Sequence, residues 1–119
     1  MEQNPRKALN QFMKGLEAMN TEQQESTKAF FDLLGTVYAP TGTVPVKIKE
    51  LISVGIAAYS RCEYCIVYHV YKALEAGANR QEIMEASMVA VAMGGGPSMA
   101  YISTLLRSCV DELESDFQR

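Results

Sequence analysis

The chain has 119 residues, 48% of them hydrophobic and 21% charged, with 8 glycines and 4 prolines, which is the make-up of one folded domain and excludes a disordered or collagen-like chain. Its 11 basic residues against 14 acidic ones give a net charge of -3, and the basic residues are scattered, so nucleic acid is excluded as a partner for want of a clustered positive footprint. A core this small in a chain this apolar predicts completion by self-association, hence a homo-oligomer.

Met1 to Asn4 carry no apolar signal region, and the longest nearly apolar run, Leu51 to Tyr59, is too short to span a bilayer. The expectation is a cytoplasmic protein with no membrane partner. Strand signals are missing, because no Asn-Gly or Asp-Gly turn occurs and no apolar/polar alternation is sustained, so the reading is all-α, one domain over residues 1–119 with about six helices. Pro5 opens a first helix with Leu9, Phe12, Leu16 and Met19 at helical spacing. Thr21 and Gln24 form a capping-box signature for a second helix, expected to bury Phe30, Phe31, Leu34 and Val37 and to end at the stretch Ala39 to Pro45. A third begins near Pro45 and is apolar almost all round from Leu51 to Tyr59, which marks it as the buried central helix.

Ser60 and Glu63 make the next capping box, so a fourth helix is expected from the cysteine motif to about Ala76, with Cys62 at its second position and Gly77 at a left-handed exit. Asn79 with Glu82 caps a fifth helix through about Met93. Gly94-Gly95-Gly96-Pro97 then breaks the chain as an ordinary interhelical loop, and a last helix carries Ile102, Leu105, Leu106, Val110 and Leu113. Asp116 to Arg119 are expected to fray. The methionines at 84, 88, 93 and 99 read as adaptable core or subunit-interface filler.

Three cysteines do not make a disulfide scaffold, but two of them stand as Cys62-Glu63-Tyr64-Cys65, a spacing that in a cytosolic chain points to redox or metal chemistry. Cys62, Cys65 and His69 fall at i, i+3 and i+7, along one stripe of the fourth helix, while Ile66, Val70 and Leu74 form a separate apolar stripe. A helix N-terminus stabilises thiolate, which favours Cys62 as nucleophile; a histidine one turn beyond takes a proton from Cys65, which favours that thiol. These two effects leave the order of attack open. If the third and fourth helices form a hairpin turning near Ser60-Arg61, Glu50 and His69 lie level to within about one turn at roughly 1.5 Å per residue. Glu50 is then a buried acid able to orient the imidazole and assist proton transfer.

Other readings of the same residues exist. Cys62, Cys65, His69 and Glu50 make four possible ligands for zinc or another metal, although structural zinc usually draws on two separated knuckles and no second cysteine pair is present. Two small buried hydrophobes and a structural histidine in a purely interacting protein are the blandest reading. Tyr64 alone reads as a packing or interface aromatic, and Cys109, on an apolar helix face, as inert core.

Glu50, eleven residues, Cys62-Glu63-Tyr64-Cys65, three residues and His69 together resemble the signature of the AhpD-like alkylhydroperoxidases of the carboxymuconolactone decarboxylase superfamily. The resemblance covers roughly Pro45 to Ile102, including the Gly77-Ala78 turn and the glycine-rich loop; residues 1–36 are an additional N-terminal helical part that it does not reach. It implies an all-α fold assembling into trimers or hexamers, and thiol-dependent reduction of hydroperoxides without a bound cofactor. Cys65 would be the peroxidatic residue and Cys62 its resolving partner, the two forming a redox disulfide. Glu50, a water, His69 and Cys62 would make the proton relay, and Tyr64 would line the site. An external dithiol or lipoyl-type reductant, or a peroxiredoxin, would be the partner. The decarboxylase branch lacks the cysteine pair, which sets lactone decarboxylation behind peroxide reduction.

Overall fold

Asparagine and proline set the first helix. In the computed structural model, which describes residues 4–118, the Asn4 side chain accepts hydrogen bonds from the backbone N–H groups of Arg6 (2.8 Å) and Lys7 (3.3 Å). Pro5 stands in the first turn of α1 (Pro5–Glu22), where its missing N–H leaves no bond unmade. Met1 to Gln3, read above for a signal region, and Arg119, read as fraying, lie outside the described residues.

The Thr21–Gln24 capping box does not form. α1 runs past Thr21 to Glu22 and turns at Gln23 directly into α2 (Gln24–Val37). The turn is closed instead by Thr27, whose Oγ1 donates to the Met19 carbonyl at 3.1 Å. Nor does α2 bury the predicted side chains: Thr27 is its one buried residue, while Phe30 is 49% and Val37 47% exposed. An apolar helical stripe serves equally to fill a core or to wall an open cavity, and Phe30, Phe31 and Leu34 do the second.

α3 (Val46–Ser60) and α4 (Glu63–Glu75) form the expected hairpin. The chain leaves α3 through a Schellman motif: Arg61 takes the left-handed conformation (φ 57°), its N–H donating to Ala58, while the Cys62 N–H reaches back to Ala57. Ser60 is consequently the last residue of α3, with its Oγ on the Ala57 carbonyl, and cannot cap α4. That task falls to Cys62, the N-cap, whose Sγ accepts from the Cys65 N–H at 3.3 Å. The predicted second helical position for Cys62 is thus corrected by two residues, and the thiol remains at the helix N-terminus. α4 leaves by a second Schellman motif with Gly77 (φ 101°) at the left-handed position, as its sequence predicts.

The buried central helix is α4, not α3. Ile66, Val67, Val70, Ala73 and Leu74 of α4 are buried to 3% exposure or less, and α4 packs on α3, α1 and the C-terminal helices. α3 packs chiefly on α4 and α5 (Arg80–Gly94), leaving a side open where Ile48, Ile52, Ile56 and Tyr59 are 39–63% exposed. The Asn79–Glu82 capping box that starts α5 forms as predicted in both directions. α6 (Gly96–Tyr101), a π-helical segment (Ile102–Leu106), α7 (Arg107–Leu113) and a 3-10 turn (Glu114–Phe117) follow without a break. Thr104 Oγ1 donates to the Ala100 carbonyl (2.7 Å) at the start of the π segment, giving that carbonyl a side-chain partner where the ordinary ladder is shifted. Asp116 does not fray, since its carboxylate accepts two bonds of 2.9 Å from the Arg6 guanidinium. Among the described residues there is no strand, and no helix is long and apolar enough to cross a membrane.

Candidate functional site

The hairpin brings Glu50 and His69 together as the residue count requires. Glu50 lies in the first half of α3, 2% exposed, and its Oε1 is 2.8 Å from His69 Nδ1. A carboxylate only accepts, so with Glu50 as carboxylate the bond runs from Nδ1–H to Oε1 and leaves Nε2 as the nitrogen free of Glu50. The carboxylate therefore selects the tautomer of the imidazole.

Cys62 and Cys65 are joined by a disulfide, with Cα atoms 5.2 Å apart. Cys65, His69 and Glu50 all line one cavity of about 500 Å³, whose remaining wall is built largely by Phe12 and Leu16 of α1 and Phe31 and Leu34 of α2. Cys62 sits at the helix end beside this cavity and is not among its lining residues. The α1–α2 hairpin, which adds Glu17 and Asn20 to its apolar side chains in the lining, thus makes the site a recess and not a flat surface. A recessed, mainly apolar cavity strengthens the electrostatic coupling of the few polar groups that line it. At its rim, Lys72 is hydrogen-bonded to Glu75 (2.6 Å), which raises the ammonium pKa above its ordinary value. Burial raises that of the Tyr68 phenol.

Tyr64 is placed elsewhere. Its ring packs on Phe12 with centroids 6.0 Å apart, and its hydroxyl donates to Gln11 Oε1 at 3.0 Å, so it ties α4 to α1 and is not among the cavity's lining residues. Two tyrosines that the sequence pattern did not mark take that place. Tyr38 lies over His69, centroids 5.9 Å apart and planes at 26°, and Tyr68 meets the same ring nearly perpendicularly at 5.1 Å. Tyr68 precedes His69 on the helix and was within reach of a periodicity argument; Tyr38, in the α2–α3 connection, had no local signal. Cys109 is fully buried and its thiol is pushed up to about 12 by burial, the inert core cysteine its position predicts. Among the described residues no group of three or more His, Cys, Asp or Glu side chains is arranged to hold a metal ion, and the disulfide occupies two of the four sulfur and nitrogen or oxygen donors that a zinc reading would need.

Comparison with known proteins agrees with this architecture. An uncharacterized protein of Cupriavidus necator is 34% identical over 91 residues, covering 75% of this chain and 78% of its own. An uncharacterized protein of the cox locus of Paracoccus denitrificans is 36% identical over 86 residues, covering 72% and 76%. Among solved structures, a carboxymuconolactone decarboxylase family protein of Legionella pneumophila superposes with a TM-score of 0.85 at 28% identity, over 92% of this chain and 96% of that one. A family protein of Thermotoga maritima, described in connection with an antioxidative response, gives 0.78 at 29% identity over 91% and 93%. The family model for carboxymuconolactone decarboxylases matches residues 24–107, from the start of α2 into α7. With the helical hairpin, its cysteine pair and most of the chain within that match, the protein belongs to the carboxymuconolactone decarboxylase family.

Proposed function

We propose that this protein is a thiol-dependent peroxidase of the AhpD-like type, which reduces hydroperoxides through Cys65 and Cys62. The observation that carries this reading is the convergence on one apolar chamber of Cys65, half of a Cys-x-x-Cys disulfide, with a histidine hydrogen-bonded to a buried glutamate. In the cycle, the Cys65 thiolate attacks the terminal oxygen of ROOH; the O–O bond breaks, the alkoxide takes a proton and leaves as ROH, and Cys65 becomes a sulfenic acid. The Cys62 thiolate then displaces hydroxide from that sulfur, which leaves as water on protonation, and the disulfide forms. An external dithiol, of the lipoyl or another class, attacks the disulfide, is itself oxidised to a disulfide and returns both thiols. His69, its tautomer held by Glu50, takes and returns the protons of these steps. No bound cofactor is needed. The partly apolar walls suit the R group of an organic hydroperoxide, and assembly and a peroxiredoxin partner belong to the same reading.

The test is a thiol titration of the pre-reduced protein. One equivalent of hydroperoxide is expected to remove two titratable thiols, Cys65→Ser to abolish this, and Cys109→Ser to leave it intact. A reduced, folded protein that kept both thiols after peroxide would overturn the proposal. The family's name sustains one other reading, lactone decarboxylation, which has no use for a thiol; turnover of a carboxylactone that survives Cys65→Ser would favour it.

A further inference from the structure

The Glu50–His69 hydrogen bond holds one nitrogen of the imidazole but does not by itself hold the ring. A single in-plane bond leaves the ring free to rock about the bond axis, and a rotated imidazole aims its basic nitrogen elsewhere. Tyr38 opposes that motion, because its ring lies nearly parallel to the imidazole at 5.9 Å, within the range of an attractive aromatic pair. What makes Tyr38 fit for this is how firmly α3 grips it. Its hydroxyl hydrogen-bonds Ser53 Oγ, which in turn donates to the Lys49 carbonyl at 2.9 Å. The Lys49 ammonium donates to the carbonyls of Val37 (2.8 Å) and Ala39 (3.3 Å), the two residues that flank Tyr38. Lys49, Glu50 and Ser53 thus occupy one turn of α3, where Glu50 orients the imidazole from its edge and its neighbours fix the tyrosine over its face.

We infer that Tyr38 is a positioning residue for His69, held by Ser53 and Lys49, and that this clamp keeps the imidazole aligned with the chamber shared by Cys65. The kinetic arm of the test rests on the peroxidase reading; the spectroscopic arm does not.

In ¹⁵N-labelled, oxidised full-length protein, the single histidine gives one set of ring signals. The wild type is expected to show the Nδ1–H tautomer with sharp signals. Tyr38→Leu, which deletes the aromatic face, is expected to broaden them or mix the tautomers, and Tyr38→Phe, which loses the bond to Ser53 but keeps the ring and the Lys49 bonds to the flanking carbonyls, to stay nearer the wild-type pattern. In peroxide turnover Tyr38→Leu should lower kcat about tenfold with KM within about twofold, and Tyr38→Phe should recover most of the loss, as for a misplacement of the acting group and not of substrate. His69 signals in folded Tyr38→Leu that match the wild type overturn the inference. If Tyr38→Leu does not fold, Lys49→Met, which frees both flanking carbonyls and so loosens an unsubstituted Tyr38, is expected to broaden the same signals, and an unchanged spectrum overturns the inference equally. A wild type without peroxidase activity would sink the peroxidase reading while the ring signals still decide the role of Tyr38.

Discussion

At the scale of single residues, the buried Glu50 is where stability and chemistry can be told apart. It is 2% exposed, and its hydrogen bond to His69 Nδ1 is what makes a carboxylate tolerable there. The two ways of breaking the pair should therefore differ. Glu50→Gln keeps shape and hydrogen-bonding capacity, so it should cost little stability while slowing reaction of the reduced protein with peroxide by about 10²-fold or more, the usual worth of a positioned acid–base pair. His69→Ala leaves the carboxylate in place without its partner and should destabilise the fold by about 3 kcal/mol, as removal of one member of a buried pair does. Urea unfolding at neutral pH read beside peroxide kinetics distinguishes them; equal stability losses would mean that Glu50 has other adequate partners.

At the scale of elements, the helix ends decide where the chemistry stands. The Schellman exit of α3 uses Arg61 in a left-handed conformation that costs a non-glycine residue about 1 kcal/mol, and this tight turn delivers Cys62 directly into the cap of α4. At the other end of the same helix, Gly77 makes the equivalent exit without that cost. The start of α5 is tied back to α3, because Glu82 of the capping box also receives Lys47 Nζ at 2.9 Å. The Lys47 hydrogen bond first, and the Asn79 N–H second, hold the Glu82 carboxyl below its ordinary 4.5. A carboxyl whose folded-state pKa is depressed stabilises the fold above its unfolded value and loses that contribution as pH falls through the folded value. Asn79→Ala is expected to cost about 1 kcal/mol at pH 7 through the lost cap. Lys47→Met should flatten the decline of stability below about pH 5, since it removes the largest cause of the shift. Thermal unfolding between pH 3 and 7 checks both; an unaltered acid slope in Lys47→Met would contradict the assignment.

At the scale of the molecule, α3 and α5 present an apolar groove of about 650 Å³ on the side away from α4, with Ile52, Ile56, Val89 and Met93 between 52% and 77% exposed. No charged side chain lines this groove, so its complement is apolar, and a second copy of the same face supplies one. Contiguous apolar surface of this kind is uncommon on a chain that stays monomeric, and a small core gains most from being extended by a neighbour. The protein is expected to sediment as an oligomer at micromolar concentration. Ile56→Glu with Met93→Glu should convert it to monomer with a lower Tm, while leaving the Cys62–Cys65 disulfide formed. A wild type that sediments as a monomer at tens of micromolar would refute self-association through this face. The methionines at 88, 93 and 99 lie exposed, where adaptable side chains suit an interface.

The sequence by itself determined what depends on helical period and on counting along one hairpin. It placed Cys65 and His69 one turn apart on α4, Glu50 level with the imidazole and the Asn79–Glu82 box at the start of α5, because helical rise and rotation per residue are fixed. Cys62, expected on the same stripe, is instead the extended N-cap just before the helix. Where the Thr21 and Ser60 boxes failed, the local pattern was present, but α1 continued through the first and a Schellman turn consumed the second. Tertiary structure alone decided which apolar stripe became core, chamber wall or outer face. Ile66, Phe31 and Ile56 are indistinguishable as hydrophobic members of helices, and only the packing of neighbours sorts them. It also decided that Tyr38, 31 positions before His69 and outside any helical register with it, would lie over the imidazole, for that contact follows from how the α2–α3 connection folds back onto Lys49 and Ser53.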